Sequence, residues 1–318
     1  MTASVSRERM SPSQLADALR TMAVDAATPA VVDALRGNGI RALLLKGPAL
    51  ERLLDEDRTR SHSDMDLLVA PADVVRAESV LVELGFEGPF EQGPEHRRWH
   101  AHTWVHKRDR VPVDLHRTLV GIGAEPKAVW EAYCANTETV TMRGVDIEIP
   151  SAAARTLQVA LHAAHHGVQI GKPLADLDRA LERVDEATWR EAAQLAETLR
   201  ATVPFATGLR LLPAGQALAH RLGLPETRSV EAALRAETVP PMALGFVWLS
   251  EAHGARAKAR LVVRELFPSP AFLRTWTPLA RRGPAGLAAA YVWRTLWLFL
   301  HFPGAFRAWR RARSAGRG

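Results

Sequence analysis

The sequence predicts an α+β protein, with a mixed β-sheet flanked by helices in its N-terminal half and an all-helical C-terminal half. Three observations carry this. Short apolar runs with strand periodicity alternate with helical patterns as far as Pro150. Glycines at 37, 39, 47, 85 and 144 punctuate those segments. After Pro150 nearly every segment has helical spacing and strand signals vanish, so the order of elements is that of an α/β-type layer followed by packed helices.

In chain order, Ser13–Ala27 and Pro29–Arg36 read as two helices, with Leu15, Leu19 and Met22 as an apolar face and Gly37 and Gly39 as a stop. Arg41–Leu45 is a short strand. Gly47 turns the chain, and Pro48, well suited to a first helical turn, opens a helix to about Leu54. Asp64–Val69 forms a strand and Pro71–Leu84 a helix that Gly85 ends. Strands follow at Trp99–Lys107 and Val111–His116, joined by Arg108-Asp109-Arg110, and a hairpin at Thr139–Ile149 turns at Arg143-Gly144. Helices are expected at Ser151–His166, Leu174–Arg183 and Thr188–Leu199. These elements divide the chain into a helical extension (1–28), a catalytic domain (29–150), a helical domain (151–306) and a disordered basic tail (307–318), with the first ten residues also disordered.

A chain of 318 residues with 47% hydrophobic content can bury a sizeable core. Its net charge of +6 suggests an anionic partner. Cys134 is the single cysteine, which excludes an intramolecular disulfide and a tetrathiolate metal site and fits a cytoplasmic protein. No apolar run follows Arg7 and Arg9, so the N-terminus does not read as a secretory signal.

The chemistry is concentrated in three acids. Side chains alternate along a strand, so Asp64 and Asp66 share one face while Met65, Leu67 and Val69 can bury on the other. Asp114 repeats the pattern beside Val113 and Leu115. Carboxylates crowded together raise one another's pKa unless a cation neutralises them, and their oxygens suit Mg²⁺ or Mn²⁺. The competing reading is that Asp-x-Asp is a solvent-facing pair met by chance.

The segments Leu43-Leu-Leu-Lys-Gly-Pro-Ala-Leu50, Arg60-Ser-His-Ser-Asp-Met-Asp-Leu-Leu-Val69 and Val113-Asp-Leu-His116 resemble the nucleotidyltransferase superfamily that includes DNA polymerase beta. More narrowly they resemble its uncharacterised bacterial branch, over roughly residues 30 to 185. The resemblance implies that Asp64 and Asp66 bind the metal ions, that Asp114 positions the acceptor hydroxyl with the catalytic ion, that Ser63 is the serine before the first acid, and that Gly47 lets the backbone approach a nucleoside triphosphate. The superfamily turn usually carries Gly-Ser or Gly-Gly. Here Pro48 follows Gly47 and offers the phosphates neither a hydroxyl nor an N–H. Lys46 and Arg58 or Arg60 are the candidate replacements, with Lys46 equally readable as a solvent-facing strand-end lysine. His116 shares the face of Asp114 and is read either as orienting a metal-bound water or the acceptor, or as a hydrogen-bonded pocket histidine.

His162, His165 and His166 fall on one helical face, but no His-Glu-x-x-His pattern accompanies them, which disfavours zinc. By the resemblance, a histidine-bearing helix and the following Leu174-Ala-Asp-Leu177 make His162 and Asp176 packing or acceptor-side residues. Leu287–Phe302 is apolar and aromatic, is interrupted by Arg294, and leads into Arg307, Arg310, Arg311 and Arg313. It reads as a core helix or as a helix lying in an anionic membrane surface through residues 287–313, at the membrane periphery; spanning is not expected, nor is nucleic-acid binding.

The expected function is metal-dependent transfer of a nucleoside monophosphate from a triphosphate such as ATP to a hydroxyl acceptor, which is a small molecule, a peptide or a protein. The alternative is a catalytically inactive nucleotide-binding or membrane-surface accessory protein of the same fold.

Overall fold

The computed structural model describes residues 11–54, 61–90, 100–226, 230–235, 237 and 242–315. The expected disorder of the first ten residues, the strand start at Trp99, Arg58 and Arg60, and the last residues of the basic tail lie outside these. The chain forms two compact units. The first comprises 1–89, 101–117 and 130–151, and the second 90–100, 118–129 and 152–318.

The first unit opens with α1 (Pro12–Gly37), capped by Ser11 and Gln14 in a reciprocal capping box. One helix replaces the two expected, because Pro29 is accommodated inside it. Thr28 donates its hydroxyl to the Val24 carbonyl in the turn where proline lacks an N–H. The expected division at residue 28 therefore falls within a continuous helix. Its expected apolar face is also displaced: Leu15, Leu19 and Met22 are exposed, whereas Val24, Val31, Val32 and Leu35 are buried.

There follow β1 (Ala42–Leu44), α2 (Pro48–Leu54), β2 (Met65–Val69), α3 (Val74–Glu83), β3 (Phe86–Phe90), β4 (Ala101–His106) and β5 (Pro112–His116). The five strands make a mixed sheet in the order β1-β2-β5-β4-β3. β2 runs antiparallel to β1 and parallel to β5, and β5 runs antiparallel to β4. Every residue of β2 is buried, as expected of an interior strand covered on both faces. After α4 (Pro126–Cys134), β6 (Thr137–Met142) and β7 (Val145–Pro150) form the expected hairpin as a separate two-stranded sheet. β3 and α4 are additions to the sequence reading; β3 contains Gly88-Pro89, residue types depleted from strands.

In the second unit, α5 (Ala152–His166) is buried on almost every side and packs against α6 (Gly171–Arg183), α7 (Glu186–Thr198) and α8 (Thr202–Leu209). α8 crosses α5 so closely that a Cβ on Gly208 would lie 2.0 Å from the Ala160 carbonyl oxygen, so only glycine fits. Beyond these lie α9 (Pro213–Arg221), α10 (Val230–Arg235), α11 (Met242–Glu251), α12 (Ala255–Leu266), α13 (Pro270–Trp276) and α14 (Gly283–Ala315). Ala305, Ala308 and Ala312 of α14 bury against Leu234, Ala243, Leu244 and Val247. Residues 307–315 are thus helical, not the disordered tail expected, because alanines every three or four positions give this stretch a face to bury.

Candidate metal and nucleotide site

The site is built on the parallel pairing of β2 with β5. Its register sets Asp66 opposite Asp114 and Leu68 opposite His116. Paired residues on neighbouring strands point to the same face, so Asp66, Asp114 and His116 converge while Met65, Leu67, Val113 and Leu115 bury on the other side. One ligand-type atom from each of Asp66, Asp114 and His116 lies within 4.8 Å of the others, the single such group among the described residues. Asp66 is almost wholly buried, and Asp114 is half-buried. Thr103 of β4, in register with Asp114, donates its hydroxyl to Asp114 Oδ1.

An ammonium and an imidazole meet the same oxygen of Asp66. Lys46 Nζ donates to Asp66 Oδ1 at 2.7 Å, and His116 Nε2 lies 2.9 Å from it. Burial by itself would raise the Asp66 pKa, but the Lys46 charge and the His116 contacts outweigh it and hold the carboxyl far below the usual carboxylate range. For Lys46, burial would lower the pKa, and the fields of Asp66, Asp64 and Asp114 overcome it and raise the ammonium above its ordinary value. Lys46 is placed for this by β1: antiparallel pairing sets Leu44 against Leu67 and carries the chain past Asp66, whose carbonyl accepts from Leu45 N–H. The solvent-facing alternative for Lys46 is thereby replaced by an ion pair.

The other oxygen, Asp66 Oδ2, is buried and accepts no hydrogen bond. An anionic oxygen left without a donor in the interior is costly unless a cation meets it. The two carboxylates and the imidazole of this group suit a divalent ion such as Mg²⁺ or Mn²⁺, so the residues present fit the expected metal.

Asp64 lies just before β2, half-buried, outside the converging group of three. Ser63 Oγ is 3.5 Å from its Oδ1. Asp64 nevertheless belongs to the same electrostatic neighbourhood, since its charge acts on Lys46.

Gly47 has φ +61°, a backbone region that favours glycine, and its carbonyl accepts from Leu50 and Glu51 at the start of α2. A Cβ there would meet the His62 ring at 3.3 Å. The sequence reading passed over His62. Buried beneath the turn, it reaches Asp25 Oδ1 of α1 at 2.8 Å through Nε2, and its backbone N–H and carbonyl both bond the Thr21 hydroxyl. Its only sequence signal is the Ser-His-Ser-Asp run before β2.

His162 and Asp176 belong to the second unit, on α5 and α6. The His162 and His165 rings pack edge-on against His166, with centroids 4.7 and 4.8 Å apart, and Asp176 is buried. No metal-ligating group of three forms there among the described residues.

Comparison with known proteins agrees with the motifs. A family model described as uncharacterised nucleotidyltransferase matches residues 2–214. No curated protein matches the chain. Among solved structures, the chain is similar to the antibiotic-resistance factor ANT(2'')-Ia in solution (14% identity, TM-score 0.40, covering 60% of this chain and 96% of that one). It is similar to the crystal structure of ANT(2'')-Ia in complex with adenylyl-2''-tobramycin (14%, TM-score 0.40, covering 56% and 98%). It is also similar to an antigenic nucleotidyltransferase-like protein from Paracoccidioides brasiliensis (13%, TM-score 0.36, covering 57% and 94%). With a family model spanning two thirds of its length, the chain belongs to the uncharacterised nucleotidyltransferase family and is a nucleotidyltransferase.

Proposed function

We propose that the chain transfers a nucleoside monophosphate from a nucleoside triphosphate to a hydroxyl-bearing acceptor, with Mg²⁺ or Mn²⁺ bound at Asp66 and Asp114. The observation that carries this reading is the buried, unpartnered Asp66 Oδ2 beside Asp114 and His116. A bond forms between the acceptor oxygen and the α-phosphorus, the bond from that phosphorus to the bridging oxygen breaks, pyrophosphate leaves, and the hydroxyl proton passes to solvent or a nearby base. When bound, the ion supplies charge neutralisation for the leaving pyrophosphate and lowers the pKa of the attacking hydroxyl.

In this reading Asp64, Asp66 and Asp114 hold the metal, and His116 orients Asp66 or joins the ligand set. Lys46, Gly47, Ser63 and Arg60 bind the triphosphate, Lys46 by leaving Asp66 when phosphate oxygens arrive. His162 and Asp176 serve the acceptor side. Residues 29–150 then form the catalytic domain and 151–306 the helical domain. The reaction runs in the cytoplasm, where the triphosphates are, at the membrane periphery. ANT(2'')-Ia, to judge from its adenylylated tobramycin complex, modifies an antibiotic, which makes small hydroxylated molecules the first acceptors to try.

The test is incubation of the full chain with each of the four labelled triphosphates, Mg²⁺ and a panel of hydroxyl-bearing acceptors, following pyrophosphate release. Release that requires acceptor and metal, and that Asp114→Asn abolishes, is the expected result. The Lys46–Asp66 ion pair favours a second reading, an inactive nucleotide-binding protein in which the lysine stands where an ion would. Calorimetric binding of triphosphate with no pyrophosphate release for any acceptor would decide for it.

A further inference from the structure

Helix α14 has two faces of different character. Inward, Ala290, Leu298, Ala305, Ala308 and Ala312 are buried. Outward, Val292, Trp293, Leu296, Phe299 and Leu300 lie at spacings of three and four residues, with Phe299 72% and Leu300 71% exposed. Arginine 294, which breaks the apolar run in the sequence, is on the inner side. It is 4% exposed, donates to Glu265 Oε1 at 2.6 Å and to the Glu265 carbonyl at 3.2 Å, and lies over the rings of Phe272 and Trp276. The outer face is therefore apolar without interruption between residues 292 and 300. About two to three turns further on, the same face carries Arg307, Arg310 and Arg311, all exposed.

The partner of such a face must offer hydrocarbon and negative charge together. Residues 252–315 hold twelve Arg or Lys and one acid, Glu265, a net +11 in a chain whose total is +6, so the remainder is net negative. α12, which Arg294 ties to α14 through Glu265, has no buried residue and exposes Val262, Val263 and Phe267 beside Arg256, Lys258, Arg260 and Arg264. A second copy of the chain would bring two +11 regions together. A nucleic acid would satisfy the arginines and leave Val292, Leu296 and Leu300 in water. An anionic bilayer surface answers both needs, with aliphatic and aromatic side chains in the acyl boundary and arginines at the phosphates. None of the described helices is long and apolar enough to cross a membrane, so the helix would lie on the surface. The family model ends at residue 214, well before this segment.

We propose that the outer face of α14, with the arginines that follow it and the basic, apolar α12, docks this protein on an anionic lipid surface. Docking is independent of transfer chemistry at Asp66 and Asp114, so loss of one leaves the other measurable.

The test is flotation of the full chain with phosphatidylcholine vesicles made with and without phosphatidylglycerol. The chain should float with the anionic vesicles and less so in high salt, where surface charges are screened. Leu296→Glu/Phe299→Glu should lower the bound fraction at least about tenfold, because both side chains move from the acyl boundary to water. Arg307→Ser/Arg310→Ser/Arg311→Ser should remove the preference for phosphatidylglycerol. The arginine variant keeps the test informative if the glutamate variant loses its helical circular dichroism, because it changes only exposed charges. Equal flotation of the variants and the natural chain overturns the proposal, as does failure of the natural chain to float. So does a concentration-dependent dimer that the glutamate variant abolishes, or tighter binding to a single-stranded oligonucleotide than to anionic vesicles.

Discussion

Two groups of three ligand-type side chains stand at suggestive spacings in this chain: Asp66, Asp114 and His116 on β2 and β5, and His162, His165 and His166 on α5. They end in opposite states. The first holds a carboxylate with one oxygen bonded by Lys46 and His116 and the other buried without a hydrogen-bond donor. In the second the rings pack against one another on a single helix. Adjacency on one helix lets neighbouring rings satisfy each other locally, whereas side chains brought from two strands meet because the sheet forces them to. A forced meeting of acids is what leaves charge to be compensated.

The comparison breaks most decisively at Asp66. Asp66→Asn keeps the shape and removes the charge, and should lower Mn²⁺ affinity and transfer rate by at least about 10²- to 10³-fold, a range typical of a removed electrostatic contact to the transition state. Electron paramagnetic resonance of free Mn²⁺ and pyrophosphate release read the two effects separately. Undiminished Mn²⁺ binding would remove the metal from the reading. His116→Gln comes next, with an expected loss of roughly 10- to 100-fold in Mn²⁺ affinity, as for a group that orients a metal-binding carboxylate.

Lys46→Met addresses the ion pair. Leaving Asp66 buried without its cation should cost about 3 kcal/mol in urea unfolding, and saturating Mn²⁺ should restore most of it if the ion and the ammonium compensate the same charge. Destabilisation that Mn²⁺ leaves untouched would separate the two. Acid titration follows from the same pair. The Asp66 pKa is lower folded than unfolded, so its contribution is fully present above the unfolded value near 4 and drains away as pH falls through the lower folded value. Thermal melts between about pH 5 and pH 2 should therefore lose stability more steeply for the natural chain than for Asp66→Asn. The smallest effect belongs to the other group: His162→Ala should change Mn²⁺ affinity less than about twofold, and a larger change would give the α5 histidines a metal role that their packing does not suggest.

Much of the scaffold was legible in residue pattern. Alternation over Met65–Val69 and Val111–His116 marked β2 and β5, and the loss of strand signals after Pro150 marked the turn to helices. β3 escaped because Gly88-Pro89 disguises it, and α1 looked like two helices because Pro29 reads as a breaker although the helix runs through it. Leu15, Leu19 and Met22 were chosen as a buried face by periodicity, which gives the angle between side chains and not the side on which the rest of the protein lies.

The sequence by itself determined that Asp66, Asp114 and His116 would stand on strands with apolar residues behind them, because a period of two fixes which side chains share a face of one strand. It also determined that Arg294 would interrupt an aromatic helix. Only the tertiary structure decided which strands are neighbours, and hence that Asp66 faces Asp114 in register, that Lys46 reaches Asp66, that His62 lies under Gly47, and that Arg294 turns inward to Glu265. The reason is physical: periodicity is a property of a segment, whereas compensation of a buried charge depends on which distant segment folds against it.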